Sequence, residues 1–263
     1  MKAAGYHIET VTQDNVEEKG FFCVKNKKHP GYKAKLEWLR DRLDEGLRIK
    51  LLYTDEGVLA GFVEYTPEAN SWRVVQAENH LVIHCLWVNS KKAGQRGLSS
   101  LLLTECVDDA KKNGFDGVVV VASDGSWMAG KNVYIKNGFE EIDTAPPGFQ
   151  LLVRPVTNSA QQKPHFPTDW GKRLCTGKRL RLMYTNQCPY IGKMIKEIPP
   201  VAESHGIPLI LEEIPDAKTA RRIMPSPYGV MALVYDGQLL ADHAISATRF
   251  RNILTKDLQL SVR

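Results

Sequence analysis

The sequence predicts an α/β chain in two domains. Three observations carry that expectation. Strand-like and helix-like stretches alternate along most of the chain. Composition shifts at about Pro155 into a basic, proline-containing stretch. A second run in the order βαβαββα begins at Leu180. At 263 residues the chain is long enough for two ordinary domains, and its 43% hydrophobic and 25% charged residues are ordinary for a soluble globular protein.

Residues 3–9 read as a first strand. Asn15–Lys19 and Gly31–Glu45 read as helices, the second with Leu36, Leu39 and Leu43 at helical spacing. Ile49–Thr54 and Val58–Tyr65 flank Asp55-Glu56-Gly57, a hairpin signal. Trp72–Ala77 and His80–Val88 read as further strands. Leu98–Asn113 is an amphipathic helix stopped by Asn113-Gly114. Val118–Ala122 is unbroken and apolar, as a strand covered on both faces should be. Trp127–Asn137 reads as a helix ending at Gly138, and Phe139–Asp143 and Phe149–Arg154 as closing strands.

Residues 156–181 carry Lys163, Lys172, Arg173, Lys178, Arg179 and Arg181 against Asp169 alone. This is a basic linker and domain entry, either a solvated connector or a set of charges near an anionic ligand. Beyond it come strands at Leu180–Thr185, Pro208–Glu213, Gly229–Tyr235 and Gln238–Ala241, the last two around an Asp236-Gly237 turn. Helices are expected at Pro189–Ser204, Ala217–Ile223 and Ala247–Thr255. The domains expected are therefore 1–155 and 179–263, joined by 156–178.

Composition also excludes classes of function. A net charge of +5 suits anionic small molecules, and no long basic run interleaved with aromatics marks a nucleic-acid binder. No apolar segment approaches the ~20 residues of a membrane span, and MKAAGYHIET lacks the apolar core of a signal peptide. A cytoplasmic protein, monomer or homodimer, is expected. Cys23, Cys85, Cys106, Cys175 and Cys188 are odd in number, scattered and without a C-x-x-C, so neither a disulfide framework nor a zinc site is expected. His80 and His84, four apart on a strand, would stand about 13 Å apart and cannot share a metal; no metal is expected.

Ser90–Leu103 carries the chemistry. A strand, a small-residue turn with basic side chains and then a helix form a diphosphate-binding arrangement. Free N–H groups at the helix start point at an anion, and the helix dipole favours negative charge there. Gly94-Gln95-Arg96-Gly97-Leu98-Ser99 resembles the Q/R-x-x-G-x-G/A loop of the GCN5-related N-acetyltransferase (GNAT) family, with Gly94 in place of the first Gln/Arg and Ser99 in place of the last Gly/Ala. Tyr134-Ile135-Lys136-Asn137-Gly138-Phe139 is similar to that family's Y-x-x-x-G-F, and Val118–Ala122 falls where its next strand stands.

The resemblance implies the family's mixed, mostly antiparallel sheet with helices on both faces. It implies acetyl-CoA, or another short acyl-CoA, as donor. Pantetheine would pair with backbone groups near Leu86, Trp87 and Val88, in a gap between two splayed strands. The diphosphate would sit on Gly94–Ser99, with Lys131 nearby. Tyr134 would protonate the departing thiolate, and N–H groups near Leu86–Val88 would hold the oxyanion.

The general base is open among Glu64, Glu78, His84 and a water relay. Alternation puts His80, Val82, His84, Leu86 and Val88 on one face and Ile83, Cys85 and Trp87 on the other.

Tyr184–Ile191, YTNQCPYI, resembles the active-site turn of thioredoxin-like and glutaredoxin-like proteins, with Cys188 at the first cysteine position and Ile191 at the second. A dithiol cycle within the motif is thereby excluded, while a monothiol role for Cys188 stays open. The cis-proline of that fold would fall near Gly229, and Pro227 is out of register. Together with Trp127–Lys131, this arrangement is similar to the YoaP-like acetyltransferases. The expected function is N-acetyl transfer to a small-molecule amine by direct attack in a ternary complex, the second domain helping to form the acceptor site. The alternatives are acyl transfer to or via a thiol, Cys188 or Cys85, and a non-catalytic CoA-binding or partner-binding module.

Overall fold

The computed structural model describes residues 5–89, 97–125, 127–157 and 162–259. The first part of the chain runs β1 (Tyr6–Val11), α1 (Val16–Lys19), α2 (Tyr32–Asp44), β2 (Arg48–Thr54), β3 (Leu59–Pro67), β4 (His80–Val88), α3 (Leu98–Lys112), β5 (Gly117–Ser123), α4 (Lys131–Ile135), β6 (Glu140–Ala145) and β7 (Phe149–Pro155). These strands form a seven-stranded sheet in the order β1-β2-β3-β4-β5-β7-β6. The β4–β5 pair is parallel, joined across α3, and the other pairs are antiparallel.

Helices cover both faces because each turns one apolar stripe to the sheet. In α3, Leu98, Leu102, Leu103, Cys106, Val107 and Ala110 recur at three- and four-residue spacing and are buried. They pack on Leu52, Val63, Leu81, Ile83, Val118 and Val120. On the opposite face Trp38 and Leu39 of α2 meet Ile49, Leu51, Phe62, Val82 and Val119.

The second part runs β8 (Leu180–Tyr184), α5 (Ile191–Ser204), β9 (Leu209–Glu213), α6 (Ala217–Ile223), β10 (Met231–Tyr235), β11 (Gln238–Ala241) and α7 (Ala247–Asn252). Its four-stranded sheet has the order β11-β10-β8-β9, with β8 and β9 parallel and β10 antiparallel to both β8 and β11. Two of its helices carry side-chain N-caps: Asp216 Oδ1 accepts the Thr219 N–H at 2.6 Å and Ser246 Oγ the Arg249 N–H at 3.1 Å.

The apolar cluster on the α2 face of the first sheet continues without a break into Leu182, Ile198, Val230, Met231 and Phe250 of the second part. The backbones touch there too. A Cβ on Gly31 would stand 1.9 Å from the Pro189 carbonyl oxygen, and one on Gly192 2.3 Å from the Gly31 Cα. The connector is pinned at several points: Phe166 and Trp170 are buried, the Phe166 N–H donates to Asp143 at 2.8 Å, and Arg173 donates to the carbonyls of Arg221 and Met224, while Lys163, Lys172 and Lys178 are exposed.

Two expected elements are absent or shortened. Trp72–Ala77 is not a strand of either sheet. Its apolar side chains are buried in the seam, its Val74 N–H donates to the Pro227 carbonyl at 3.1 Å, and Gln76 makes an isolated bridge with His165. The segment is buried on nearly every side by contact with the second part of the chain rather than by a pleated ladder. The helix expected over Trp127–Asn137 spans only Lys131–Ile135. Gly130 is extended, and a Cβ there would lie 2.5 Å from Asp124 Oδ1, so the chain enters the helix late.

Gly229 has φ +67°, and a Cβ there would come within 1.8 Å of the Trp72 carbonyl oxygen. Gly229→Ala should therefore cost about 3 kcal/mol, from a strained left-handed residue and an overpacked seam. Urea unfolding reads that loss; a change below about 0.5 kcal/mol would mean the two backbones are not held this close.

Candidate active site

The site begins with one extra residue in β4. In the β3–β4 ladder Glu64 stands opposite Cys85 and Tyr65 opposite Ile83, so His84 has no opposite number. Such a bulge bends its strand and strengthens the twist. Pairing of β4 with β5 runs from His80–Gly117 to Ile83–Val120 and stops there, although both strands continue. The two therefore splay beyond Ile83, and the edge of Cys85–Val88 facing β5 opens on a gap. The bulge also corrects the expected alternation. Ile83 shares a face with Leu86 and Val88, while Val82 and Cys85 join the opposite core.

His84 is buried with both ring nitrogens in use. Nε2 accepts the Trp72 N–H at 3.1 Å, which leaves Nδ1 to donate to Glu64 Oε1 at 3.3 Å. Burial, with Arg73 nearby, lowers its pKa to about 4, so the ring is neutral. Glu64, itself 2% exposed, takes Lys35 Nζ at 2.7 Å and Gln187 Nε2, from the second part of the chain, at 2.9 Å. Burial alone would raise its carboxyl. The Lys35 ammonium and the His84 ring outweigh that and hold it well below the usual carboxylate range. A carboxylate so stabilised is a weak base. Glu78, the other acidic candidate, is exposed in the turn before β4.

Arg73 completes the network. It is 2% exposed and donates to Gln187 Oε1 at 3.2 Å, to the Tyr228 carbonyl at 2.5 Å and to the His84 carbonyl, with its guanidinium 4.6 Å from the Tyr228 ring centroid.

Tyr134 is 2% exposed and lines the gap between β4 and β5 with Ile83, Leu86 and Val120. Burial, and Cys85 beside it, raise its phenol above the ordinary value, so it is a protonated donor at neutral pH. Gly97 has φ +89° and opens α3, with Leu98 buried and Ser99 half-buried in the first turn. Gly94, Gln95 and Arg96 lie outside the described residues. Lys131 Nζ is engaged with Glu141 Oε2 at 2.8 Å.

The gap opens on a cavity of about 420 Å³ between the two parts of the chain, walled by residues that include Trp87, Trp127, Tyr190 and Tyr228. Cys23, Cys85 and Cys188, scattered in sequence, all line it. The neighbouring Cys23 thiol lowers the Cys85 thiol and is itself raised, while burial pushes Cys188 up to about 11. Lys35, Arg73, Gln187 and Cys23 are not among the residues that the sequence marks as catalytic or cofactor-binding. For Lys35 a signal existed: it shares the helical spacing of Trp38 and Leu39, which puts a cation on a buried stripe. Among the described residues no group of three or more His, Cys, Asp or Glu side chains is placed to hold a metal ion, and no helix is long and apolar enough to cross a membrane.

A mixed sheet splayed at one parallel pair, with a tyrosine in the gap, defines the acyl-CoA acyltransferase class. Residues 10–139, just under half of the chain, match the model of the acetyltransferase (GNAT) family, and the match supports an acyltransferase enzyme. A curated relative, an uncharacterized N-acetyltransferase, YoaP, of Bacillus subtilis (strain 168), is 27% identical over 248 residues, covering 93% of this chain and 96% of its own length. Among solved structures, the GNAT protein YhbS of Escherichia coli in complex with CoA is 19% identical. The match covers 64% of this chain and 92% of that one, at a TM-score of 0.42. The PaiA N-acetyltransferase of Thermoplasma acidophilum in complex with coenzyme A is 16% identical, covering 57% and 99%, with a TM-score of 0.41.

The neutral, buried His84 gives a pH dependence of stability. Its folded pKa, about 4, lies below the ordinary 6.5, so the unfolded chain binds the proton first as pH falls. Its contribution is complete above pH 6.5 and is lost on the way down to about 4, amounting to roughly 3 kcal/mol. Between pH 6.5 and 4.5 Glu64 adds little, because an ordinary carboxyl titrates only below that window. His84→Gln, which keeps a donor and an acceptor, should flatten the unfolding free energy across this window; an unchanged slope would place the proton elsewhere.

Proposed function

We propose that the chain transfers an acetyl or another short acyl group from acyl-CoA to a small-molecule amine, by direct attack in a ternary complex. One observation carries this reading. The β4–β5 gap, with Tyr134 in it, opens at Cys85 and Leu86 onto the cavity between the two parts of the chain. A donor lying along the gap presents its thioester where an amine in the cavity can meet it.

In this reading the backbone of Leu86, Trp87 and Val88 pairs with pantetheine, and the diphosphate rests on the loop from Gly94, Gln95 and Arg96 to Gly97, Leu98 and Ser99 at the start of α3. The match of residues 10–139 to the acetyltransferase family model supports the same donor. The amine nitrogen attacks the thioester carbonyl and an oxyanion forms. The C–S bond then breaks, and Tyr134 gives its proton to the sulfur. The ammonium proton leaves through water, because Glu64 is held as a stable carboxylate and both nitrogens of His84 are committed. The second domain supplies Cys188, Tyr190 and Tyr228 as the far wall. Its strand order, with Cys188 just ahead of α5, supports a thioredoxin-like arrangement used for recognition.

The convergence of three thiols supports a second reading, in which Cys85 takes the acyl group from CoA and passes it to the acceptor. Cys85 borders both the gap and the cavity. Replacement by serine separates the two. Turnover of Cys85→Ser should persist under direct attack and vanish under relay.

Acetyl-CoA should raise the melting temperature, by an amount equivalent to about 2.7 kcal/mol at a hundredfold excess over its Kd. No shift at millimolar acetyl-CoA would overturn the donor assignment. Tyr134→Phe should retain that shift while kcat falls about a hundredfold. Unchanged CoA release, followed with a thiol reagent, would remove Tyr134 from the acid role.

A further inference from the structure

We infer that the acceptor is an aromatic amino acid, or a compound built like one, with its ring in the aromatic cavity and its carboxylate at the cavity's charged inner end. This rests on the reading that the cavity between the two parts of the chain holds the acceptor. Two separate features of that cavity carry the inference.

The first is its wall. The cavity of about 420 Å³ is bounded by the rings of Phe62, Trp87, Trp127, Tyr190 and Tyr228, with sulfur atoms and aliphatic groups between them, and among the described residues no charged side chain lines it. The rings are arranged edge-to-face. Trp127 and Tyr190, from opposite sides of the seam, have centroids 5.0 Å apart at 70°, and Trp87 meets Phe22 at 4.6 Å and 84°. Trp87 and Trp127 are nevertheless 50% and 51% exposed. Two half-bare indoles at the edge of an apolar cavity favour a flat apolar body that would cover them. A polyamine, an aminoglycoside or a lysine side chain finds no carboxylate there to meet its charges.

The second is the inner end, about 40 Å³, reached past Cys23, Cys85 and Cys188 and lined also by Lys35, Glu64, Arg73 and Gln187. That volume takes two or three waters or one carboxylate. Lys35 and Glu64 neutralise each other at 2.7 Å. Arg73 meets only neutral oxygens, and its Nε has no hydrogen-bond partner. His84, the nearby titratable ring, is neutral. Among the described residues one positive charge therefore stays buried without a counter-ion, a costly arrangement that an entering anion relieves. An α-amino acid fits the order of these parts: ring outermost, carboxylate innermost, and the amine between them, beside Cys85 and the mouth of the gap.

The test is CoA release by the full chain with acetyl-CoA and four acceptors: tryptophan, tryptamine, tryptophan amide and spermidine. Thermal shifts in the presence of CoA report binding independently of turnover. The expected result is a kcat/KM for tryptophan at least tenfold above tryptamine and tryptophan amide, with spermidine lowest. Trp127→Ala should then raise KM for tryptophan at least tenfold with a smaller change in kcat, and leave the acetyl-CoA shift intact. Spermidine as the preferred acceptor, or tryptamine equal to tryptophan, would overturn the inference. So would an acetyl-CoA shift with neither binding nor turnover of tryptophan, a result that leaves the donor reading standing. If acetyl-CoA itself produced no shift, the reading beneath the inference would fall with it.

Discussion

One buried carboxylate organises this molecule. Glu64 accepts Lys35 from helix α2, His84 from strand β4 and Gln187 from the turn before α5, at 2.7, 3.3 and 2.9 Å. A carboxylate out of water is tolerable only when paired and fully hydrogen-bonded. Each of those partners is therefore held to one position, and with it the element that carries it. Gln187 then passes the constraint to Arg73, which grips the backbone on both sides of the seam through the carbonyls of His84 and Tyr228. The polar network lies within a continuous apolar core, so packing supplies the stability and the hydrogen bonds supply the register.

The same few residues shape the opening for chemistry. His84 is the extra residue of the β4 bulge, and its ring is anchored by Glu64 on one side and the Trp72 backbone on the other. The bulge turns the end of β4 away from β5, and the resulting gap takes Tyr134 on its α3 side. A residue that reads from sequence as a candidate base is thus a fixed structural joint. The fit between the two parts of the chain is close enough that glycines at 31, 192 and 229 leave no room for a Cβ. The cavity at the seam owes its shape to backbone contact as well as to side chains.

Much of the fold was legible in the chain. Helices with a clear apolar stripe, such as α3, and strands bounded by turn residues follow from periodicity and local stop signals alone. Trp72–Ala77 reads as a strand but is not one, because its apolar residues are there to meet a neighbour 155 residues away, and no local pattern reports on such a neighbour. The helix before Gly138 was overextended because Trp127 and Met128 are apolar for the sake of the cavity rather than a helix face.

The sequence by itself determined the alternation of strands and helices, the glycine that opens α3 and the tyrosine carried by α4. Those features depend on residues near one another in the chain. Tertiary structure alone decided that Glu64 and His84 are committed to each other. It also decided that Lys35 pairs with that carboxylate while Arg73 meets only neutral oxygens, and that Cys23, Cys85 and Cys188 face one cavity. The physical reason is that charge state and accessibility are set by what surrounds a group. Here those surroundings come from segments more than a hundred residues apart, brought together by burial of a shared core.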